Sequence, residues 1–293
     1  MLCIIISGDL FAAHAQFDTT EGPEKIQTQI AQDEVTQIKA RGYLRVAIYH
    51  RDTPPFYYKD ELGVLQGFDV DLIKGFAALL GVKVVFVREP SSFNGLVESV
   101  AQGKADLALS KISRTFKRAL RVNFSKPYLV MRQGLLINRQ HLSRQQARNQ
   151  PLGQWLRQTK GRLGVIGGSS YEQFAKTYFP HMEVVPFKAW DGALKAVSQG
   201  QILAAYRDEL EIKKIISARP NLSITLKTVV LEDLKDAIVI AVNLNHPHLL
   251  SLINLYLENG GFMRFSPEEI IQNHMPKNVS HNQRTLELIG GRM

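Results

Sequence analysis

"SFNGLVESVAQGKADLALSKISRTFKRALRVNFSKPY", residues 92–128, decides how this chain is built. Its first part is a helix, capped by Ser91 or Ser92 and stopped by Gly103. "ADLALS" (105–110) follows as a short apolar strand. Beyond it stand two hydroxyls, Ser110 and Ser113, and six basic residues from Lys111 to Lys126 with no acid among them. Core packing asks for none of these polar groups. In open α/β sheets ligands bind beyond the carboxyl ends of strands, so this end is a candidate site.

Upstream, "YLRVAIY" (43–49) alternates and is rich in strand formers, and "DTPPFYYKDELG" (52–63) is a loop around a proline pair. "FDVDLIKGFAALLG" (68–81) puts Val70, Ile73, Phe76, Ala77 and Leu80 on one helical face, with Gly81 as its stop. "VKVVFV" (82–87) is a strand. The order β-α-β-α-β implies a parallel sheet with helices on its faces.

A second block begins around Gly134. "GRLGVIGGSSYEQFAKTYF" (161–179) is strand, glycine turn and helix; "MEVVPF" (182–187) is a strand; "DGALKAVSQGQILAAYRDE" (191–209) is helix then strand. "DAIVIAV" (236–242) is a strand and "PHLLSLINLYLENGG" (247–261) a helix. The chain is therefore expected to form two α/β blocks, not one long sheet. The blocks share an echo: "VAQGKADLALSK" (100–111) and "VSQGQILAAYRD" (197–208) are each a helix end, a Gln-Gly stop and an apolar strand. One strand then leads to hydroxyls and cations, the other to Arg207 and Asp208.

The 293 residues are 45% hydrophobic and 22% charged, an ordinary globular composition long enough for two lobes. The net charge of +9 is spread along the chain without a basic run, so nucleic acid is not expected as a partner. Residues 2–15, "LCIIISGDLFAAHA", are mostly apolar and end in Ala13-His14-Ala15, a peptidase-type site, so 1–15 is expected to be a signal peptide. No basic residue precedes the apolar core, and Asp9 interrupts it. The single cysteine, Cys3, lies inside that segment, which excludes a disulfide framework and a cysteine-held metal. No later apolar run approaches the roughly 18 residues of a membrane span.

Several side chains carry candidate chemistry. Arg118 offers a planar fork that fits a carboxylate at two points, or it is a surface arginine at a helix start. "GVIGGSSYEQF" (164–174) sets glycines and serines at a strand-to-helix turn, where free N–H groups favour an anion or a serine simply caps. Asp208 is an acceptor for an ammonium group or a helix cap, and Phe93 a stacking ring or a helix staple. Nucleotide-phosphate, metal and hydrolase motifs are missing, so neither a cofactor, a metal nor a catalytic residue is expected.

Together these pieces resemble the periplasmic solute-binding proteins for polar amino acids that serve ATP-driven (ABC) importers. "GFDVDLIKGFAALLG" (67–81) is similar to the family's signature, with Phe76 where a smaller aliphatic is usual, and residues 92–128 are similar to its central segment almost throughout. The resemblance, over about 38–275, implies a type II periplasmic-binding-protein-like fold, two α/β lobes with a ligand cleft between them. It implies lobe 1 at 36–132 plus 236–275 and lobe 2 at 133–235, after a 16–35 linker and before a 276–293 tail. It also implies a monomer in the periplasm, an amino-acid ligand and an inner-membrane permease as partner.

By position, Arg118 falls on the arginine that clamps the ligand carboxylate. Ser113 falls on a ligand-holding hydroxyl, and Ser110 on the strand end lining the site. Ser169 falls on the second-lobe turn that meets the carboxylate, Asp208 on the acceptor of the α-ammonium, and Phe93 on an aromatic wall. Departures are Thr53 where an aromatic is usual, His50 and Arg51 where binders of basic amino acids keep an acid, and Lys111 in place of a small residue. The resulting cationic character points to a polar ligand, acidic or amide, rather than lysine or arginine. Cyclohexadienyl dehydratases share the architecture and place a glutamate near the position of Glu211, which is the enzyme alternative; the charged stretch "DELEIKK" (208–214) argues for a hydrated, ionised carboxylate instead.

Overall fold

A computed structural model describes residues 33–145, 150–260 and 266–276. The expected signal peptide with Cys3, most of the 16–35 linker and all but the first residue of the tail lie outside the described residues. The first described element, α1 (Glu34–Arg41), corrects the linker boundary. Asp33 caps it by accepting from the Thr36 N–H at 2.8 Å, and Gly42 ends it at φ 80°. Only Val35 and Ile38 of this helix are buried, too short an apolar stripe to stand out as a period.

The chain continues through β1 (Tyr43–Ala47), β2 (Tyr58–Lys59), β3 (Leu65–Gln66), α2 (Phe68–Leu80), β4 (Lys83–Val87), α3 (Phe93–Ala101), β5 (Leu107–Ser113), α4 (Phe116–Ala119) and β6 (Asn123–Phe124). β7 (Leu129–Asn138) leads to α5 (Arg139–Gln145), α6 (Leu152–Gln158), β8 (Gly161–Ile166), α7 (Ser170–Tyr178), β9 (Met182–Phe187), α8 (Trp190–Ser198), β10 (Ala204–Asp208), α9 (Glu209–Ala218) and α10 (Leu222–Thr225). β11 (Leu226–Val242) returns to α11 (Pro247–Asn259) and α12 (Pro267–His274). Gly81 closes α2 at φ 73°. Of the two candidate serines, Ser92 caps α3, accepting from the Gly95 N–H at 3.0 Å.

β1 is parallel to β4 and β5, and β8 is parallel to β9 and β10, as their helical crossovers require. The expectation of two separate sheets is corrected. Eight strands hydrogen-bond along one path, β4-β1-β5-β11-β7-β10-β8-β9, with β6 beside β11 and β2 and β3 a separate pair. The cause is β7 and β11, antiparallel partners from Leu226↔Asn138 to Ile238↔Leu129, with a slip of register between Leu231 and Lys235. The cores nevertheless stay apart. One gathers Leu44, Val46, Ile73, Leu107 and Ile253 around β1 and β5. Two smaller ones cover opposite faces of β8 and β10, with Leu163 and Tyr206 on one side and Ala193 and Ala205 on the other. Strands covered on both faces read as continuous apolar runs, which is why "ADLALS" and "ILAAY" do not alternate.

Candidate functional site

The two halves meet around a cavity at the carboxyl ends of β5, β8 and β10. Lys111 and Ser113 enter from β5, Arg118 from α4, Ser169 from the turn before α7, Asp208 from β10 and Asp236 from β11. Bonds cross between the halves here. The Asn94 N–H donates to the Gly168 carbonyl at 3.2 Å, and the Ser113 and Ser170 hydroxyls lie 2.7 Å apart.

Arg118 is 5% exposed. Thr115 caps α4 and so fixes where the arginine starts. Its Nε donates to Asn94 Oδ1 at 3.1 Å and its Nη1 to the Ser113 carbonyl at 3.2 Å, while its buried Nη2 has no partner. Burial lowers its pKa to about 10, against the pull of Asp236, so it stays cationic at neutral pH. A buried guanidinium with one free fork nitrogen is suited to a carboxylate.

Asp236 is 2% exposed. Its Oδ2 accepts from the Ser113 hydroxyl at 2.8 Å and the Tyr171 hydroxyl at 3.1 Å, and its buried Oδ1 has no partner. Burial raises its pKa to about 6, with Asp208 adding to the rise and the Ser113 and Tyr171 bonds and Arg118 opposing it.

Lys111 adopts φ 51°, a left-handed conformation a side chain seldom takes. Both of its ends are held. Its N–H donates to Asp69 Oδ2 at 3.3 Å, and its Nζ lies 3.2 Å from each oxygen of Asp208 and 3.4 Å from Glu211 Oε1, above the Phe56 ring at 4.7 Å. Asp208 also caps α9, accepting from the Glu211 N–H at 3.0 Å. Burial alone would raise the Glu211 pKa, but Lys214, Lys111 and Arg207 hold it well below the usual carboxylate range. These two carboxylates and three cations form one interlocked cluster.

Six of the residues expected from sequence therefore line one cavity: Arg118, Ser113, Ser169, Asp208, Lys111 and Phe93. Phe93 stacks on Tyr49 at 4.9 Å, and the Ser169 hydroxyl donates to the Ile166 carbonyl at 2.6 Å. Ser110 is buried beneath the cavity, its Oγ accepting from the Tyr49 N–H at 2.9 Å. His50 is exposed and lines a separate surface hollow with Arg51 and Lys188. Sequence reasoning missed Asp236 and Tyr171. The one available sign was an acid standing at the head of the apolar run "AIVIAV". Among the described residues there is no cluster of three or more metal-ligating side chains and no helix long and apolar enough to cross a membrane.

Residues 44–259 match the model of the bacterial extracellular solute-binding proteins, family 3. The chain is 28% identical over 159 residues to the histidine-binding periplasmic protein of Escherichia coli (strain K12), covering 53% of this chain and 57% of that one. It thus spans little more than half the length of that curated relative. It is 39% identical over 101 residues to a cyclohexadienyl dehydratase of Pseudomonas aeruginosa, covering 34% and 37% of the two chains. An ancestral arginine-binding protein solved with arginine bound superposes with TM-score 0.63 at 28% identity, covering 80% of this chain and 99% of that one.

Proposed function

The chain belongs to the bacterial extracellular solute-binding proteins, family 3, and on that premise we propose that it captures a polar L-amino acid in the cavity at Arg118. The observation that carries this reading is the Arg118 guanidinium itself: buried, cationic, and with Nη2 unpartnered. Ser113 and the N-terminal end of α7 stand beside it, where the helix dipole adds attraction for a carboxylate. The similar proteins that bind histidine and arginine support an amino acid as ligand. The halves at 36–132 plus 236–275 and at 133–235 act as lobes and close through β7 and β11, the strands that join them. The protein works as a monomer in the periplasm and hands its ligand to an ABC permease.

The expected preference for an acidic side chain rested on Lys111 as a free cation, together with His50 and Arg51; His50 and Arg51 line a separate surface hollow. Lys111 is instead matched by Asp208 and Glu211, so we place uncharged polar side chains first and acidic ones second. A thermal-shift screen of the common L-amino acids tests this. A ligand at a hundredfold excess over Kd stabilises by about 2.7 kcal/mol. Polar uncharged amino acids are expected to raise the melting temperature most; no shift with any amino acid would contradict the proposal.

The likeness to a dehydratase supports a second reading, in which Glu211 protonates a leaving hydroxyl. An ionised carboxylate donates no proton, and Lys214, Lys111 and Arg207 keep Glu211 ionised, which favours binding over catalysis. Incubation with prephenate or arogenate should yield no phenylpyruvate or phenylalanine. Turnover that vanishes in Glu211→Gln would replace transport by catalysis.

A further inference from the structure

Resting on the amino-acid reading above, we propose that the ligand's ammonium group is received by Asp236 rather than Asp208, and that Lys111 is a tethered cation filling the place an ammonium would otherwise take at Asp208.

Asp208 is fully engaged. Oδ1 accepts from Lys111 Nζ and the Glu211 N–H, at 3.2 and 3.0 Å. Oδ2 accepts from Lys111 Nζ at 3.2 Å and faces Arg207 Nε at 3.7 Å. Its neighbour Glu211 faces Lys111, Lys214 and Arg207 at 3.4, 3.1 and 3.8 Å. Three cations thus attend two carboxylates, and an ammonium brought to Asp208 would meet Lys111 Nζ at close range in a desolvated place. Nor is Lys111 a surface chain that happens to reach in. Its side chain is 6% exposed. Its backbone holds the left-handed φ of 51°, and Asp69 pins its N–H. Such a conformation persists in a non-glycine residue only where the surroundings impose it.

Arg118 and Asp236 differ from that cluster. Each is buried and lines the cavity, and each keeps one polar atom, Nη2 or Oδ1, without a partner. No ion pair joins the two among the described residues. An α-amino acid carries one group for each, a carboxylate for Nη2 and an ammonium for Oδ1. The Ser113 and Tyr171 hydroxyls hold the other oxygen of Asp236, so Oδ1 is presented in a fixed direction. A 2-hydroxy acid would offer Oδ1 only a neutral hydroxyl donor in place of the ammonium, leaving the buried charge of Asp236 uncompensated, which sets selectivity for amino acids over hydroxy acids.

The assignment carries a pH dependence. Asp236 on β11 is faced by Ser113 of β5, Tyr171 of α7, Asp208 and Tyr206 of β10, and Arg118 of α4. With its carboxyl titrating near pH 6, protonation removes the acceptor charge as pH falls, and amino-acid affinity drops roughly tenfold from pH 7 to pH 5. Asp69, against Lys111 and Tyr128, also titrates near neutrality, at about 7. A hydroxy-acid control absorbs that background.

The experiment screens the twenty common L-amino acids by thermal shift. It then titrates the strongest, and its matching 2-hydroxy acid, into wild type, Asp236→Asn and Asp208→Asn by calorimetry. Wild type should prefer the amino acid. Asp236→Asn should lose at least roughly thirtyfold for the amino acid and far less for the hydroxy acid, because the variant removes the charge that pairs with the ammonium while its amide oxygen can still accept from a hydroxyl. Asp208→Asn should shift both ligands together. The wild-type pH profile, which needs no variant to fold, should fall toward pH 5 for the amino acid only. The assignment is overturned if Asp208→Asn abolishes the discrimination while Asp236→Asn keeps it, or if both ligands share one pH profile. If no amino acid binds wild type, the amino-acid reading itself fails, and this assignment with it.

Discussion

The α3–β5 and α8–β10 units use one backbone device to deliver opposite chemistry. Each helix ends at a glutamine of nearly identical conformation, Gln102 at φ −86°, ψ 2° and Gln199 at φ −83°, ψ 2°. Each is followed by a left-handed glycine, Gly103 at 69° and Gly200 at 67°. Each then sends a buried strand toward the same cavity. β5 ends at the Ser113 hydroxyl, and just after it comes the free Nη2 of Arg118. β10 ends in Asp208, at φ −64° and ψ 150°, already spent as the cap of α9 and the partner of Lys111. Arg118 is thus open toward a ligand, while Asp208 of β10 is closed by Lys111 reaching across from β5, and the missing negative pole is supplied from β11 by Asp236.

Breaking the closed side should cost most in stability. Asp208→Ala removes a helix cap and leaves Lys111 short of its main carboxylate. Losing one partner of a buried pair costs about 3–5 kcal/mol, which denaturant unfolding at constant m-value would report. A loss under about 1 kcal/mol would mean that Glu211 alone satisfies Lys111.

The next effect is one of pH. Asp69 and Asp236 are carboxyls whose folded pKa values, about 7 and about 6, lie above their ordinary range. In both cases burial is the main cause, and the hydroxyl of Tyr128 or of Ser113 resists it. A raised folded pKa means the native state holds the proton more tightly. Their contribution to stability is fully present below about pH 4 and is lost as pH rises through 6 and 7. Asp69→Asn should therefore flatten the decline in unfolding free energy over that window by a few kcal/mol at most. A variant whose stability falls as steeply as wild type would refute the assignment.

The smallest effect distinguishes the two helix starts. Ser92 caps α3 with its side chain, whereas α8 starts at Ala189 with no side-chain cap. Ser92→Ala should cost about 1 kcal/mol, and Ala189→Ser, in an extended conformation that suits a cap, should add a similar amount. Equal melting temperatures for all three proteins would show that the two starts are equivalent after all.

These differences also mark what was legible in the sequence. The β-α-β order, the Gly81 stop, a serine cap at Ser91 or Ser92 and the Gln-Gly echo are local, and each appears where the pattern put it, the cap at the second of the two serines. The single sheet was not legible, because "LEDLKD" (231–236) interrupts the apolar pattern with charges although β11 runs through it for 17 residues. Within the site, Arg118, Ser113 and Asp208 were found by position along the chain. Asp236 meets Ser113 from 123 residues away, through the antiparallel pairing of β11 with β5, and its one sign in the sequence, an acid at the head of an apolar run, does not say which strand it meets. Lys111 was visible as a cation, but its carboxylate partners, 97 and 100 residues on, were not, so the site read as more positive than it is.

The central claim is that the unpartnered Nη2 of Arg118 holds a ligand carboxylate. Calorimetric titration of the most stabilising amino acid into wild type and Arg118→Ala tests it directly, with circular dichroism to show that both are folded. Removing one partner of a desolvated charge pair costs about 2–5 kcal/mol, roughly thirtyfold to several thousandfold in Kd. Saturable binding by wild type that weakens by at least that lower bound in Arg118→Ala is the predicted result; near-wild-type affinity in the folded variant would contradict the account.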